Sequence, residues 1–162
     1  RPPRSTLFPY TTLVRSAAAE LRLEVEIPRM AVAEYHAPYL AFWLKHADSG
    51  EIVPLGLWYD DQEKWLKDLR LWWRRTGRGQ SRPYDGLTGA TRRPGTHSVD
   101  FSELPALSDL PEGDYQLVVE AAREVGGREV VRLPFQWPAT GNKTVRADGE
   151  QELGRVQLRL AP

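Results

Sequence analysis

The stretch DYQLVVEAAREVGGREVVRLPFQW, residues 114–137, decides the fold class because it holds two apolar segments separated by a glycine pair. Residues 114–124 and 128–137 are rich in β-branched and aromatic side chains, which is typical of strands. Pro111-Glu112-Gly113 forms a turn before the first segment, and Gly126-Gly127 is a hairpin signal between the two. The stretch therefore predicts two long neighbouring strands.

Short strands and turns continue in both directions from this hairpin. Leu21–Ile27 alternates strictly between apolar and polar residues, which predicts a strand with one buried face. Further strands are predicted at Tyr39–Lys45, at Glu51–Tyr59 with a break or bulge near Pro54 and Gly56, at His97–Phe101 and at Leu153–Leu160. Asn142–Gly149 is predicted to be a polar connection. Seven strands with short turns predict an all-β fold, an immunoglobulin-like antiparallel β-sandwich.

The first sixteen residues do not fit this pattern. They contain three prolines, no acidic residue and no periodicity, and they resemble a translated sequencing adapter. We expect residues 1–16 to be a non-native or disordered leader, and residues 17–162 to be a single domain with a helix-loop insertion at residues 60–95. A native disordered tail is the alternative. Ala17-Ala18-Ala19-Glu20 is similar to the end of a secretory signal peptide, which suggests export.

Composition excludes several classes of protein. The chain has 22 basic and 22 acidic residues, and the basic count falls to 19 once Arg1, Arg4 and Arg15 are set aside. A balance without basic excess argues against nucleic acid as a partner. No apolar run reaches about 18 residues, so no membrane span is expected. The absence of cysteine excludes disulfides, thiol nucleophiles and thiolate metal sites.

The insertion begins with a stretch of helical periodicity. In Asp60–Arg75 the apolar residues fall within an arc of about 120° on a helical wheel; they are Trp65, Leu66, Leu69, Trp72 and Trp73. Asp60 is expected to cap the helix, with Glu63 as its partner in a capping box. The acidic start, the basic end at Arg74 and Arg75, and Gly77 beyond them agree with the helix dipole.

A loop rich in arginine and glycine follows, from Thr76 to Gly95. Between Lys64 and Arg93 there are nine basic residues and two acidic ones, so the insertion is locally basic. One interpretation is structural: the tryptophans cover the sandwich and the arginines are solvated. The other is functional: guanidinium groups such as those of Arg92 and Arg93 bind carboxylate or phosphate, and the long loop adapts to a partner.

No set of residues amounts to an active site, and we do not expect an enzyme. The G-x-S-x-G, P-loop and dinucleotide-binding motifs are missing, and no histidine pair has metal-ligand spacing. No metal or other cofactor is therefore expected. Asp85 is predicted to make an Asx turn or to pair with a loop arginine. Glu120 and Arg123, on opposite faces of one strand, are not expected to pair with each other.

Several blocks resemble a family of predicted periplasmic proteins, domain of unknown function 2271. They are VEIPRM (25–30), VAEYHAPYLAFWL (32–44), KWLKDLRLWWRR (64–75), DGLTGATRRPGTHSV (85–99), LPEGDYQLVVEAARE (110–124) and LPFQW (133–137). The resemblance implies export to the periplasm and a place near extracytoplasmic flavin transferases and iron or flavin redox proteins. It also implies a functional set: His36, Trp65, Trp72, Trp73, Arg74, Asp85, Thr88, Arg92 and Glu120. PGTHSVDF and LPEGDYQLVVEA are also similar to the immunoglobulin-like domain of flagellar hook-capping proteins.

Three hypotheses follow. The first is an exported binding or accessory module that docks a protein partner or a small anionic ligand. Its expected binding residues are His36, Trp65, Trp72, Trp73, Arg74, Arg75, Asp85, Arg92 and Arg93. The second is a metal- or cofactor-associated protein of a flavin or iron redox system, in which His36, Asp85 and His97 converge. The third is a purely structural sandwich whose helix completes the core.

Overall fold

The computed structural model describes residues 19–162, so the predicted leader and Ala17 and Ala18 lie outside the described residues. Within this range two sheets pack face to face, which confirms the β-sandwich. The strands are β1 (Glu20–Ile27), β2 (Tyr39–His46), β3 (Ile52–Trp58), β4 (Leu87–Gly89), β5 (Gly95–Asp100), β6 (Gly113–Ala122), β7 (Arg128–Trp137), β8 (Lys143–Asp148) and β9 (Arg155–Ala161).

The strand order is β5-β1-β9-β8 in the first sheet and β4-β3-β2-β6-β7 in the second. Neighbouring strands run antiparallel except β3 and β4, which run parallel because the helical insertion lies between them in the chain. The helical segments are short: α1 (Arg70–Arg75), α2 (Pro105–Ser108), and 3₁₀ turns at Glu63–Asp68 and Gly77–Gly79. No helix in residues 19–162 is long and apolar enough to cross a membrane.

Two strands in the second half of the chain were not predicted, so the described residues form nine strands rather than seven. In β8 only Val145 and Ala147 pack against the core, while the other residues are exposed or nearly so, because β8 is an edge strand. Its polar composition hides the alternation. β4 is three residues long and is held by its pairing with β3, so it carries no period of its own.

The bulge expected in the third strand is present. Phe42 pairs with Gly56 while its neighbour Trp43 pairs with Pro54, so Leu55 is an extra residue in β3. The alternation predicted for β1 is also confirmed, since Leu21, Leu23, Val25 and Ile27 are buried between the sheets.

Strand β6 is buried on both faces, which positions the candidate site. Its residues Leu117, Val119 and Ala121 belong to the core between the sheets. Val118 and Ala122 belong to a second apolar cluster on the outer face of the five-stranded sheet. That outer face is covered by the insertion, so residues on this side of β6 are enclosed beneath it.

Candidate functional site

The tryptophan stripe of the insertion faces the sheet. Leu66, Leu69 and Trp72 are buried against the outer face of the five-stranded sheet, and Trp72 is 2% exposed. Trp65 and Trp73 lie at the margin of this cluster and are half-buried. The Nζ atom of Lys64 lies 4.8 Å from the ring centre of Trp65, and that of Lys67 lies 5.8 Å from that of Trp73. The stripe therefore covers the sheet, and a lysine ammonium group lies near each of its two half-buried rings.

The predicted continuous helix over Asp60–Arg75 is wrong. A 3₁₀ turn ends at Asp68, Leu69 has a non-helical backbone with ψ of 73°, and α1 begins at Arg70. The cause lies in the sheet beneath, where the Glu120 carboxylate accepts hydrogen bonds from the backbone N–H groups of Leu71 (3.0 Å) and Trp72 (2.9 Å). In an unbroken helix those groups would donate to carbonyls four residues earlier.

The predicted capping box is also wrong. The first helical turn has Gln62 at its N-cap and no side-chain capping bond. The Asp60 carboxylate instead accepts hydrogen bonds from the Gln62 N–H at 2.8 Å and from the Tyr39 hydroxyl. Burial raises the pKa of Tyr39, and the Asp60 carboxylate raises it further. Glu63 forms an ion pair with Arg82 and accepts a hydrogen bond from the Tyr84 hydroxyl.

The basic side chains of the insertion mostly stand apart from carboxylates. Arg74, Arg75 and Arg93 are exposed, and within residues 19–162 none of them forms an ion pair. Arg92 lies over the Trp58 ring at 4.8 Å and donates to the Ala90 carbonyl at 2.6 Å. The structure thus separates the insertion into a packed apolar face and a free basic face.

Asp85 does not form the arginine pair that was one of its two predicted roles. It is exposed, its backbone N–H donates to the Gln80 side chain at 3.0 Å, and its carboxylate forms no ion pair within the described range. Arg82 is held by Glu63 and Arg92 by Trp58, so the nearby arginines have other partners. Thr88 lines a shallow groove of about 390 Å³ with Tyr59.

The three residues proposed to converge on a metal have separate surroundings. The Nε2 atom of His36 lies 2.7 Å from Glu34, and its Nδ1 lies 3.6 Å from Glu124. The Nε2 atom of His97 lies 2.7 Å from the Arg93 carbonyl. Among residues 19–162, no group of three or more His, Asp or Glu is arranged to hold a metal ion. The hydrogen bond with Glu34 raises the pKa of His36.

Two ion pairs, each with a buried glutamate, lie where β6 ends and β7 begins, and neither was predicted from the sequence. Arg128 pairs with Glu120 at 2.8 Å, and the glutamate side chain is 0% exposed. Arg123 pairs with Glu152 at 2.9 Å, with side-chain exposures of 8% and 5%. The expectation that Glu120 and Arg123 do not pair with each other is confirmed. These two arginines join Arg70 along a groove between α1 and the turn that connects β6 to β7.

A third carboxylate fixes the turn before β9. Glu129 accepts hydrogen bonds from four consecutive backbone N–H groups, those of residues 150–153, at 2.5 to 3.1 Å. Partial burial alone would raise the pKa of the Glu129 carboxyl, but these hydrogen bonds favour its charged form, and the net shift is downward. The turn that carries Glu152 to Arg123 is therefore itself held by a charged side chain.

Comparison with known proteins places the chain in a family. The model of a family described as "Predicted periplasmic protein (DUF2271)" matches residues 20–155, which is most of the chain. This match confirms the family resemblance and the periplasmic location expected from the sequence. No curated protein and no solved structure matches the chain.

Proposed function

We propose that this chain, which belongs to the DUF2271 family of predicted periplasmic proteins, is a binding module and not an enzyme. In this proposal the basic face of the insertion docks a partner that carries carboxylates. A protein with an acidic segment is the partner that fits an exposed basic surface on a short helix.

The supporting observation is that the two faces of the insertion differ in their contacts. The apolar face packs on the sheet, with Leu66, Leu69 and Trp72 enclosed, and Trp65 and Trp73 lie half-buried at its margin. Arg74 and Arg75, at the end of α1, are exposed and take part in no ion pair within the described residues. Packing therefore explains the tryptophans and leaves the arginines unexplained.

Electrostatics favours an acidic partner for this face. Arg70 and Arg74 are four residues apart in α1, so their side chains are neighbours, and like charges at this spacing destabilise a helix by a few tenths of a kcal/mol. A carboxylate placed between them removes that repulsion. The arginine fork also matches carboxylate geometry with two parallel hydrogen bonds, which a solvated lysine does not achieve.

A purely structural module is the second candidate, and the burial of Trp72 supports it. Under that reading the arginines only keep the covering segment soluble. The two candidates differ in one respect: docking requires that charge reversal at the basic face abolish binding while the fold remains intact.

The test uses a surface-immobilised peptide of ten glutamates as the acidic probe. Wild-type protein is expected to bind it, and binding should weaken as salt rises because exposed charges are screened. The double variant Arg74→Glu/Arg75→Glu should lose binding. The control Lys143→Glu/Arg159→Glu makes the same change in net charge at exposed positions of the four-stranded sheet and should keep it. Equal loss in both variants, or no wild-type binding, would overturn the proposal.

A further inference from the structure

The groove between α1 and the β6–β7 turn has the features of a preorganised anion site. It has a volume of about 510 Å³, and three arginines line it: Arg70, Arg123 and Arg128. We propose that it binds a small oxyanion, a carboxylate- or phosphate-bearing molecule. This inference rests on the proposed function in that it assigns the same side of the molecule to anionic groups. The groove shares Arg70 with the docking face, but Arg74 and Arg75 do not line it, and Arg123 and Arg128 are not part of the docking face.

Arg123 is fixed before any ligand arrives. Its Nε and Nη2 atoms donate to the two oxygens of Glu152 at 2.9 and 3.3 Å, and its guanidinium lies 5.9 Å from the ring centre of Tyr35. The glycine pair makes this possible, since a Cβ at Gly126 would lie 2.5 Å from the Arg123 guanidinium carbon. A Cβ at Gly127 would lie 2.7 Å from a Glu152 oxygen. A guanidinium held in this way loses little entropy when it binds an anion.

Arg128 is fixed by the second buried glutamate. Its Nε and Nη2 atoms both lie within hydrogen-bond distance of one Glu120 oxygen, at 2.9 and 2.8 Å. Glu120 also receives the N–H groups of Leu71 and Trp72, so its oxygens are saturated and enclosed. Each guanidinium has five N–H donors. Both arginines therefore keep Nη1 donors that their glutamates do not use.

The charge of the groove favours a compact ligand. Glu120 and Glu152 are buried and saturated by their partners, so they cannot approach a solute directly. Asp68 is the one carboxylate that lines the groove. Arg70 also lines it and forms no ion pair within residues 19–162, and its positive charge offsets that of Asp68. Affinity then comes from several N–H donors of the lining arginines rather than from a large net charge. A single phosphate or a short dicarboxylate matches such a donor set.

The experiment follows the arginine Nε–H signals of ¹⁵N-labelled protein during titration with inorganic phosphate and, separately, with succinate. The Nε–H groups of Arg123 and Arg128 are bonded to glutamates, which slows their exchange with water and makes them observable. A saturable shift of both signals below about 20 mM ligand supports the proposal. The anion that produces the shift identifies phosphate or carboxylate chemistry. No shift with either anion would overturn it.

Two variants separate the groove from the docking face. Arg70→Gln removes one charge-assisted donor at an exposed position and should weaken anion binding about tenfold. The matched control Arg78→Gln, exposed and outside the groove, should leave it unchanged. Arg74→Glu/Arg75→Glu should abolish binding of the glutamate peptide and preserve the phosphate or succinate titration. If Arg70→Gln and Arg78→Gln weaken anion binding equally, the binding depends on overall charge, and the groove is not the anion site.

Discussion

Replacement of Glu120 by glutamine tests how the insertion is anchored to the sheet. Glutamine keeps one oxygen but turns an NH₂ group toward the N–H donors of Leu71 and Trp72 or toward Arg128, so at least one buried backbone N–H loses its acceptor. That loss destabilises by about 1–3 kcal/mol. The lost pair with Arg128 adds only about 1 kcal/mol, because the arginine side chain is 34% exposed and water screens it. We expect Glu120→Gln to lower the free energy of unfolding by about 2–4 kcal/mol.

Urea denaturation followed by tryptophan fluorescence measures this loss, because Trp72 is buried and its backbone N–H donates to Glu120. Amide hydrogen exchange gives a local measure, and the exchange of the α1 amides should accelerate more than that of the β6 amides. Glu124→Gln, two residues beyond the end of β6 and partly exposed, is the control and should stay within about 1 kcal/mol of wild type. A Glu120→Gln variant within about 0.5 kcal/mol of wild type would refute the anchoring role.

Three further predictions concern Trp72, Glu129 and His36. Trp72→Ala should lower the free energy of unfolding by about 3–5 kcal/mol in urea denaturation, because it empties the centre of the outer apolar cluster; a loss below about 1 kcal/mol would contradict that packing. The folded-state pKa of Glu129 is lowered, so its contribution is present above the unfolded-state pKa of about 4.3 and is lost as pH falls through the folded-state pKa. The free energy of unfolding should therefore fall less steeply below about pH 5 in Glu129→Gln than in wild type. An identical slope in the two proteins would contradict this contribution of Glu129. The hydrogen bond with Glu34 raises the pKa of His36, so the stabilising contribution of protonated His36 is lost as pH rises through its folded-state pKa. An NMR titration should give His36 a lower pKa in Glu34→Gln than in wild type. An unchanged pKa would exclude the contact.

The strands with regular alternation could be predicted from the sequence because burial on one face leaves a period of two. Leu21 to Ile27 is such a case, and β1 begins one residue before the predicted start. The stretch 143–148 lacked this signal, since an edge strand needs few apolar residues. The helical insertion was predicted in its position and in the face that it buries. Its break at Leu69 was not, because the break depends on a carboxylate that lies about fifty positions along the chain.

The ion pair between Glu120 and Arg128 could not be predicted because it depends on the register of the β6–β7 hairpin. A two-residue turn at Gly126-Gly127 would pair Val125 with Arg128 and therefore place Glu120 opposite Leu133. The turn is longer, Ala122 pairs with Arg128, and Glu120 lies opposite Val130. This odd-numbered shift moves Arg128 to the face that carries Glu120. The glycine pair was correctly identified as a hairpin signal, yet its steric role is to admit Arg123 and Glu152.

In the proposed function the two faces of the insertion have different roles, with the tryptophans serving the fold and the arginines free to bind a partner. The most direct measurement is the free energy of unfolding of Arg74→Glu/Arg75→Glu relative to wild type, in urea at low salt. We expect a difference of no more than about 1 kcal/mol, because the substitutions break no contact and reverse only the interaction of two exposed charges with the C-terminus of α1. A loss of about 2 kcal/mol or more would contradict it, since the arginines would then be part of what holds the insertion to the sheet.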